Sequence, residues 1–201
     1  MVGLGTANAY SQEAVVNGGF ETSTPDVGPS GFPPGWMSSD TTPTNSGVGN
    51  DSAFANSGAQ YAFLGTDFGQ TTTDSLSQVL NTVAGGSYTL SFFLANDSGV
   101  TPNSFQALFN GFSVFLVTNS PAFGYTNIVI AGLTATTSTT TLEFRYLHDD
   151  DFFRLDDVSV QGPAPGGAAV PEIGATAVFA LPAFVGLCLV HFFQARRRRL
   201  A

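Results

Sequence analysis

A long uncharged segment near the C-terminus constrains most strongly how this chain can fold. Residues 173–193 contain no Asp, Glu, Lys or Arg, and a run of four arginines follows them, Arg196, Arg197, Arg198 and Arg199. As a helix, this segment would be about 31 Å long, which is enough to cross the hydrocarbon core of a bilayer. Arginines beside a membrane span stay on the cytoplasmic side. We therefore expect one transmembrane helix at 173–193, with the preceding residues outside the membrane.

A short motif comes directly before this segment and suggests how the chain is sorted. Val170, Pro171 and Glu172 precede the apolar span, and the arginine tail at 196–199 closes it. This order resembles the PEP-CTERM sorting signal, with Ile173 in the place of the usual second proline. The resemblance covers residues 170–201. It implies that an exosortase-type transpeptidase recognises Pro171 and Glu172 and transfers the domain to a surface carrier. The alternative is a plain stop-transfer segment that keeps the protein in the membrane.

The charge of the preceding part excludes some classes of partner. Residues 1–170 hold two arginines, Arg145 and Arg154, and fourteen acidic residues, a formal charge of −12. Such a charge opposes binding to nucleic acid and to anionic lipid, and it suits calcium or a solvated exterior. The one cysteine, Cys188, lies in the apolar span, so no disulfide can form within the chain. Abundant Gly, Ser, Thr and Asn, with charged residues at only 10%, are typical of an exported all-β domain.

Short alternating segments separated by turn residues predict β-strands from residue 10 to residue 161. Residues 87–95 alternate, as do residues 141–146, and the dipeptide Asn110-Gly111 predicts a hairpin between two apolar runs. Residues 128–133 are apolar at both alternating sets of positions, which predicts a central strand buried on both faces. Residues 22–50 are rich in proline and small residues. There we expect a long loop with one short strand near Trp36.

The remaining segments complete the domain organisation. Residues 1–9 end in Ala7-Asn8-Ala9, which fits the end of a signal peptide. The β-sandwich domain is predicted at 10–161, a Gly/Pro/Ala linker at 162–170, and the sorting segment at 171–201. We therefore expect export, a membrane-anchored precursor, and a final location at the cell surface or in the extracellular matrix.

The last predicted strand contains a change of alternation. Phe153 and Leu155 share one face, whereas Val158 and Val160 share the other. A β-bulge at Asp156-Asp157 would bring all four side chains to the same core.

The two ends of the domain resemble a known family of exported β-sandwiches. The motif at 17–21, Asn-Gly-Gly-Phe-Glu, is followed by Pro-Pro-Gly-Trp at 33–36, and residues 152–160 close the domain. This pairing resembles the carbohydrate-binding-module-like jelly roll, with further matches at 88–92 and 107–111. The resemblance covers about residues 15–161. It implies an all-β, galactose-binding-like jelly-roll β-sandwich, followed here by the linker and the C-terminal transmembrane helix.

The same resemblance implies a structural calcium ion between the first and last strands. Its ligands would be Glu21, Asp156 or Asp157, and the backbone carbonyl of Asn17. Calcium takes about six to eight oxygen ligands, so carboxylates brought together here would suit it. The alternative is that Glu21 is exposed and the two aspartates only end a strand. Asp149, Asp150 and Asp151, beside His148, could form a second cation site, but we favour a solvated turn, because Asp is common in turns and like charges need water.

Members of the family that bind sugars stack a sugar ring on an exposed aromatic side chain. The candidates in this chain are Trp36, Tyr61, Tyr125 and Phe152, although large aromatic side chains more often lie in the core. The resemblance therefore suggests extracellular polysaccharide as a partner without defining the residues of a ligand-binding site.

Three functions remain open at this stage. The first is a non-catalytic surface or extracellular-matrix protein, the second a glycan-binding module, and the third a polysaccharide hydrolase with two facing carboxylates. Nucleophilic catalysis has little support, because the only histidines are His148 and His191 and the latter lies in the apolar span. We therefore expect a non-enzymatic domain.

Overall fold

Two antiparallel β-sheets form the part of the chain that the computed structural model describes, residues 11–22, 32–40 and 45–165. These residues contain eleven strands and no helix. The strands are β1 (Ser11–Glu13), β2 (Met37–Ser38), β3 (Ser46–Asn50), β4 (Gln60–Leu64), β5 (Asp74–Asn81), β6 (Ser87–Asn96), β7 (Asn103–Phe109), β8 (Phe112–Thr118), β9 (Phe123–Thr134), β10 (Thr139–His148) and β11 (Phe153–Pro163). An all-β sandwich is therefore confirmed.

In both sheets, strands that are distant in the sequence lie side by side, as in a jelly roll. The first sheet has the order β3-β4-β11-β6-β9, with β1 also paired to β11. The second sheet has the order β2-β5-β10-β7-β8. Strand β11 therefore lies inside the first sheet, between β4 and β6, although it is the last strand in the chain. This position brings the C-terminal end of the domain against its N-terminal segment.

Alternating side chains of both sheets meet in an aromatic core. Tyr88, Leu90, Phe92 and Leu94 of β6 are buried, as the alternation predicts. Phe144 of β10 lies 5.3 Å from Phe92 and 5.7 Å from Phe105, measured between ring centroids. Such tilted and edge-on ring pairs add to the stabilisation that burial itself provides.

Two local features confirm sequence predictions. Asn110 and Gly111 both have positive φ, 53° and 79°, and form the two-residue turn between β7 and β8. The pairing of β11 with β6 shifts between Asp156 and Ser159, so the predicted bulge is present. Phe153, Leu155, Val158 and Val160 are consequently all buried.

The prediction for residues 128–133 is wrong. They belong to β9, an edge strand of the first sheet, and the Val129 side chain is 60% exposed. Gly132 has a φ of 76°, and Ile128, Ile130 and Leu133 are the residues that pack against the core. The irregularity at Gly132 reverses the alternation of the strand. Ile128 and Ile130 before it and Leu133 after it therefore all face the core.

The proline-rich region contains more structure than expected. The short strand near Trp36 is β2, as predicted, but β3 also falls in this region. Its sequence, Ser-Gly-Val-Gly-Asn, has only one residue with high β-propensity, so pattern alone does not indicate a strand. At the other end of the domain, β11 continues to Pro163, two residues into the predicted linker.

Several predicted segments lie outside the described residues. These are residues 1–9 and residues 166–201, which include Val170, Pro171, Glu172, the apolar span and Arg196 to Arg199. Within the described ranges, the chain has no helix long and apolar enough to cross a membrane.

Replacement of a buried phenylalanine should separate core packing from surface hydrophobicity. Phe144→Ala should lower the free energy of unfolding by about 3–5 kcal/mol, because the ring is fully buried. The matched control is Phe112→Ala, whose ring is 72% exposed and whose effect should stay within about 0.5 kcal/mol. Chemical denaturation measures both, and equal effects would contradict the described core.

Candidate functional site

The outer surface of the first sheet carries an unusual group of aromatic side chains. On β4, Tyr61 and Phe63 point away from the core and are half-buried, whereas the alternate residues Ala62 and Leu64 are fully buried. On β11, Arg154 faces the same way as these rings, because its neighbours Phe153 and Leu155 point inward. Strand alternation therefore places two aromatic rings and one cation on one outer face.

Two glycines of the edge strand lie directly under these rings. Gly47 pairs with Phe63, and Gly49 pairs with Tyr61. A Cβ atom at Gly47 would lie 3.0 Å from Cζ of Phe63, and one at Gly49 would lie 2.4 Å from Cζ of Tyr61. Both rings therefore lie against bare backbone. A side chain at position 49 would force the Tyr61 ring to move, and one at position 47 would crowd the Phe63 ring.

Arg154 is the centre of the group. Its guanidinium carbon lies 5.0 Å from the ring centroid of Phe54 and 5.9 Å from that of Tyr125, both within cation–π range. The guanidinium also pairs with the Asp97 carboxylate and donates a hydrogen bond to the Phe54 carbonyl at 3.3 Å. The Tyr125 hydroxyl donates to the same carbonyl at 3.0 Å.

Phe54 belongs to the connection between β3 and β4; residues 51–60, which include the first residue of β4, are here called the 51–60 loop. Its ring is 48% exposed and lies 6.5 Å from the ring of Tyr61, while Phe152 meets Phe63 edge-on at 5.4 Å. We call the set the aromatic face: Phe54, Tyr61, Phe63, Tyr125, Phe152 and Arg154. Burial raises the pKa of Tyr61 and of Tyr125, so both hydroxyls stay neutral and can donate or accept hydrogen bonds.

Three of the four aromatic candidates from the sequence lie on this face. They are Tyr61, Tyr125 and Phe152. Trp36 does not, because it is only 4% exposed and packs against Phe20 at 5.4 Å, with its indole N–H donated to the Asn17 carbonyl. The other members of the face, Phe54, Phe63 and Arg154, were not predicted from the sequence. The Gly-x-Gly alternation of β3 was the available signal, since small residues leave room for neighbouring rings.

The predicted calcium ligands come together around Gly19. A Cβ atom at Gly19 would lie 3.5 Å from Oδ1 of Asp157, 4.0 Å from Oδ1 of Asp156 and 3.8 Å from Cγ of Glu21. Asn17 lies at the start of this turn, with a φ of 52°. Its carbonyl accepts hydrogen bonds from the Trp36 indole and from the Phe20 amide.

The carboxylates of Glu21 and Asp156 already accept hydrogen bonds from the protein backbone. Oε1 of Glu21 and Oδ2 of Asp156 each accept two backbone N–H groups of the 51–60 loop. Within the part of the chain that the structure describes, no three His, Cys, Asp or Glu side chains form a group that could hold a metal ion. Calcium requires an oxygen-lined site, whereas N–H donors already point at these oxygens. Calcium therefore stays a prediction from the resemblance.

The second acidic cluster has local partners. Asp149 accepts a hydrogen bond from the Gly69 amide, and Asp151 accepts one from the Phe152 amide. His148 is buried, and its Nε2 lies 3.0 Å from Oδ1 of Asn96. His148 therefore points into the sandwich, and these contacts favour the turn interpretation.

A groove of about 570 Å³ lies elsewhere, where β1, β5, β10 and β11 approach one another. Its described lining has no aromatic side chain and consists mainly of polar residues and prolines: Gln12, Glu13, Ala14, Val16, Asn81, Thr82, Ser138, Thr139, Pro163 and Pro165. We favour the aromatic face as the candidate site, because it presents aromatic rings on which a ligand could stack. The described lining of the groove has no such ring.

Comparisons with known proteins define the fold. No protein-family model matches the chain, and no curated protein sequence matches it. Among solved structures, the module TmCBM61 in complex with β-1,4-galactotriose has a TM-score of 0.56 at 16% identity, covering 74% of this chain and 97% of that one. The K3 cleaved adhesin domain of Lys-gingipain from Porphyromonas gingivalis has a TM-score of 0.52 at 16% identity, covering 76% and 99%.

A third similar structure is the C-terminal family 22 carbohydrate-binding module of Clostridium thermocellum Xyn10B. Its TM-score is 0.50 at 14% identity, covering 82% of this chain and 99% of the module. At this level of identity the likeness shows the fold alone. The described domain therefore has the jelly-roll fold of carbohydrate-binding modules.

The protonation of Asp156 should be directly measurable. Burial raises its pKa to about 6, against the opposing effect of three backbone N–H donors from Asn56, Ser57 and Asp157. Because this pKa is above the ordinary value, the folded state binds more protons between about pH 4 and pH 6, and this group lowers stability as the pH rises through that range. The carboxyl-carbon resonance of Asp156 should titrate near pH 6. A midpoint at or below 3.8 would mean that the N–H donors outweigh burial.

Proposed function

We propose that this domain is a non-catalytic glycan-binding module that uses its aromatic face to bind carbohydrate. The observation that carries the proposal is the position of Tyr61 and Phe63, whose rings lie on Gly49 and Gly47 at the surface of the first sheet. The likeness of the fold to solved carbohydrate-binding modules supports the same proposal.

The chemistry of the face suits a sugar ring. A pyranose presents C–H groups on one side and hydroxyls around its rim. The face of an aromatic ring carries negative charge density and attracts such C–H groups. Arg154 and Asp97 lie beside the rings and are partly exposed, so they can donate to and accept from hydroxyls. The combination provides both a stacking surface and polar groups that orient the ligand.

We propose neutral rather than acidic glycans as the ligand class. Residues 1–170 carry fourteen acidic residues and two arginines. A field of this sign repels polyanions at long range. Arg154 does not offset this locally, because Asp97 already pairs with it.

The carboxylates near the aromatic face support binding rather than hydrolysis. Glycosidases need two carboxyl groups that face each other across the scissile bond. Asp97 is paired with Arg154, and Asp156 accepts three backbone N–H groups. These groups act in structural contacts within the described domain.

We also propose that the domain acts outside the cell. This proposal rests on the motif at 170–172, the apolar span and the arginine tail, which lie outside the described residues. The intact mass of the surface form tests it, with and without a host transpeptidase. Removal of residues 173–201 is expected from sorting, and their retention would favour a permanent anchor.

Removal of one ring should weaken glycan binding. Tyr61→Ala or Phe54→Ala should reduce affinity for a neutral polysaccharide about tenfold, equivalent to about 1.4 kcal/mol, because a stacking surface is lost. The control is Phe112→Ala, an exposed ring on the second sheet. Affinity electrophoresis against a panel of neutral and acidic polysaccharides measures both. Failure of the wild type to bind any neutral glycan would contradict the proposal.

The glycines under the rings provide a second test. Gly49→Ala should displace the Tyr61 ring, because the new Cβ would lie 2.4 Å from Cζ, and affinity should fall as in Tyr61→Ala. Gly124→Ala on β9 is the control, since no atom lies within 4 Å of a Cβ there. Equal affinities of the two variants in calorimetric titration would argue against the aromatic face.

A further inference from the structure

We infer that Glu21, Asp156 and Asp157 are positioning residues that hold the 51–60 loop, and with it Phe54, over the first sheet without a metal ion. The loop's own N–H and O–H donors occupy the carboxylates for which the family resemblance implies calcium. The inference deepens the proposed function and rests on it only where glycan affinity is concerned.

Asp156 holds the middle of the loop by accepting hydrogen bonds from two of its backbone N–H groups. Its Oδ2 accepts the backbone N–H of Asn56 at 2.9 Å and that of Ser57 at 3.2 Å. Its Oδ1 accepts the Asp157 N–H at 2.7 Å. The residue is fully buried, so these donors take the place of water around the carboxylate. Hydrogen bonds to an ionised acceptor are stronger than neutral ones.

Asp157 holds the same two loop residues through their side chains. Its Oδ2 accepts the Asn56 amide at 2.8 Å, and its Oδ1 accepts the Ser57 hydroxyl at 2.8 Å. The φ of Asp157 is 50°, in the left-handed region, which Asp tolerates better than most residues. The bulge in β11 thus turns two successive carboxylates toward one pair of loop residues.

Glu21 holds the end of the loop. Its Oε1 accepts the N–H of Ala59 at 2.8 Å and that of Gln60 at 2.9 Å. A Cβ atom at Gly58 would lie 2.0 Å from this oxygen, so the carboxylate reaches the backbone only because residue 58 is glycine. Three acidic side chains from two distant parts of the chain therefore converge on residues 56–60.

The opposite side of the loop is fixed on the aromatic face. The Phe54 carbonyl accepts hydrogen bonds from both Arg154 and the Tyr125 hydroxyl. Residues 56–60 and Phe54 are thus held from two sides. Loss of the carboxylate contacts should release Phe54 from its position beside Tyr61.

A cation and these N–H groups would compete for the same oxygen lone pairs. The N–H groups carry the positive ends of their dipoles, so they already balance part of the carboxylate charge. A calcium ion would need several of these oxygens turned toward itself. The loop should therefore keep its conformation in the presence of a chelator.

Hydrogen exchange of the loop amides tests the inference on the intact domain. In the wild type, the Asn56, Ser57, Ala59 and Gln60 amides should exchange at the same rates in EDTA and in millimolar calcium. In Asp157→Asn, the exchange of these amides should be about tenfold faster, while core amides of β6 keep their rates. Glu143→Gln, the same acid-to-amide change on the second sheet, should leave the loop amides unchanged. Ser57→Ala removes the hydroxyl that donates to Asp157 and should also make the loop amides exchange faster. This variant keeps the test decisive if Asp157→Asn fails to fold.

Two results would overturn the inference. One is faster loop exchange in EDTA that calcium reverses, which would mean that a cation holds the loop. The other is unchanged loop exchange in both Asp157→Asn and Ser57→Ala. Glycan affinity should fall in Asp157→Asn together with loop protection. If the wild type binds no glycan, the proposed function fails, while the exchange data still decide how the loop is held.

Discussion

The bulge in β11 is the feature on which the core and the outer face both depend. Strand β11 pairs with β1, β4 and β6, so its alternation determines which side chains of the first sheet face inward. The shift between Asp156 and Ser159 keeps Leu155 and Val158 in the core. It also turns Asp156 and Asp157 toward the 51–60 loop. One extra residue in a strand thus links apolar packing on one side to a loop on the other.

The aromatic face follows from this arrangement. Arg154 lies just before the bulge and holds the Phe54 carbonyl, while the two aspartates hold the residues that follow Phe54. On the neighbouring strands, Gly47 and Gly49 allow the rings of Phe63 and Tyr61 to lie against the sheet. The face is therefore built from a regular sheet and from one loop that is fixed by hydrogen bonds to Arg154, Asp156 and Asp157. Preorganised surfaces of this kind lose little conformational freedom when a ligand binds.

Much of the fold could be predicted from the sequence, because the alternation in β6 and β10, the Asn110-Gly111 turn and the β11 bulge are local signals. The edge position of β9 was missed, since alternation does not encode the order of strands in a sheet. Strand β3 was missed because its Ser-Gly-Val-Gly-Asn sequence has little β-propensity. At the site, the sequence identified Tyr61, Tyr125 and Phe152 but could not separate them from the buried Trp36. The contribution of Phe54 and Arg154 depends on a loop conformation that only long-range hydrogen bonds determine.

The most direct test of the account is an amide and side-chain chemical-shift map of the domain during titration with a neutral oligosaccharide that it binds. If the aromatic face binds the ligand, the largest changes should fall on Phe54, Tyr61, Phe63, Tyr125 and the Arg154 side chain. Changes concentrated on the second sheet, or in the groove lined by Asn81 and Thr139, would contradict it.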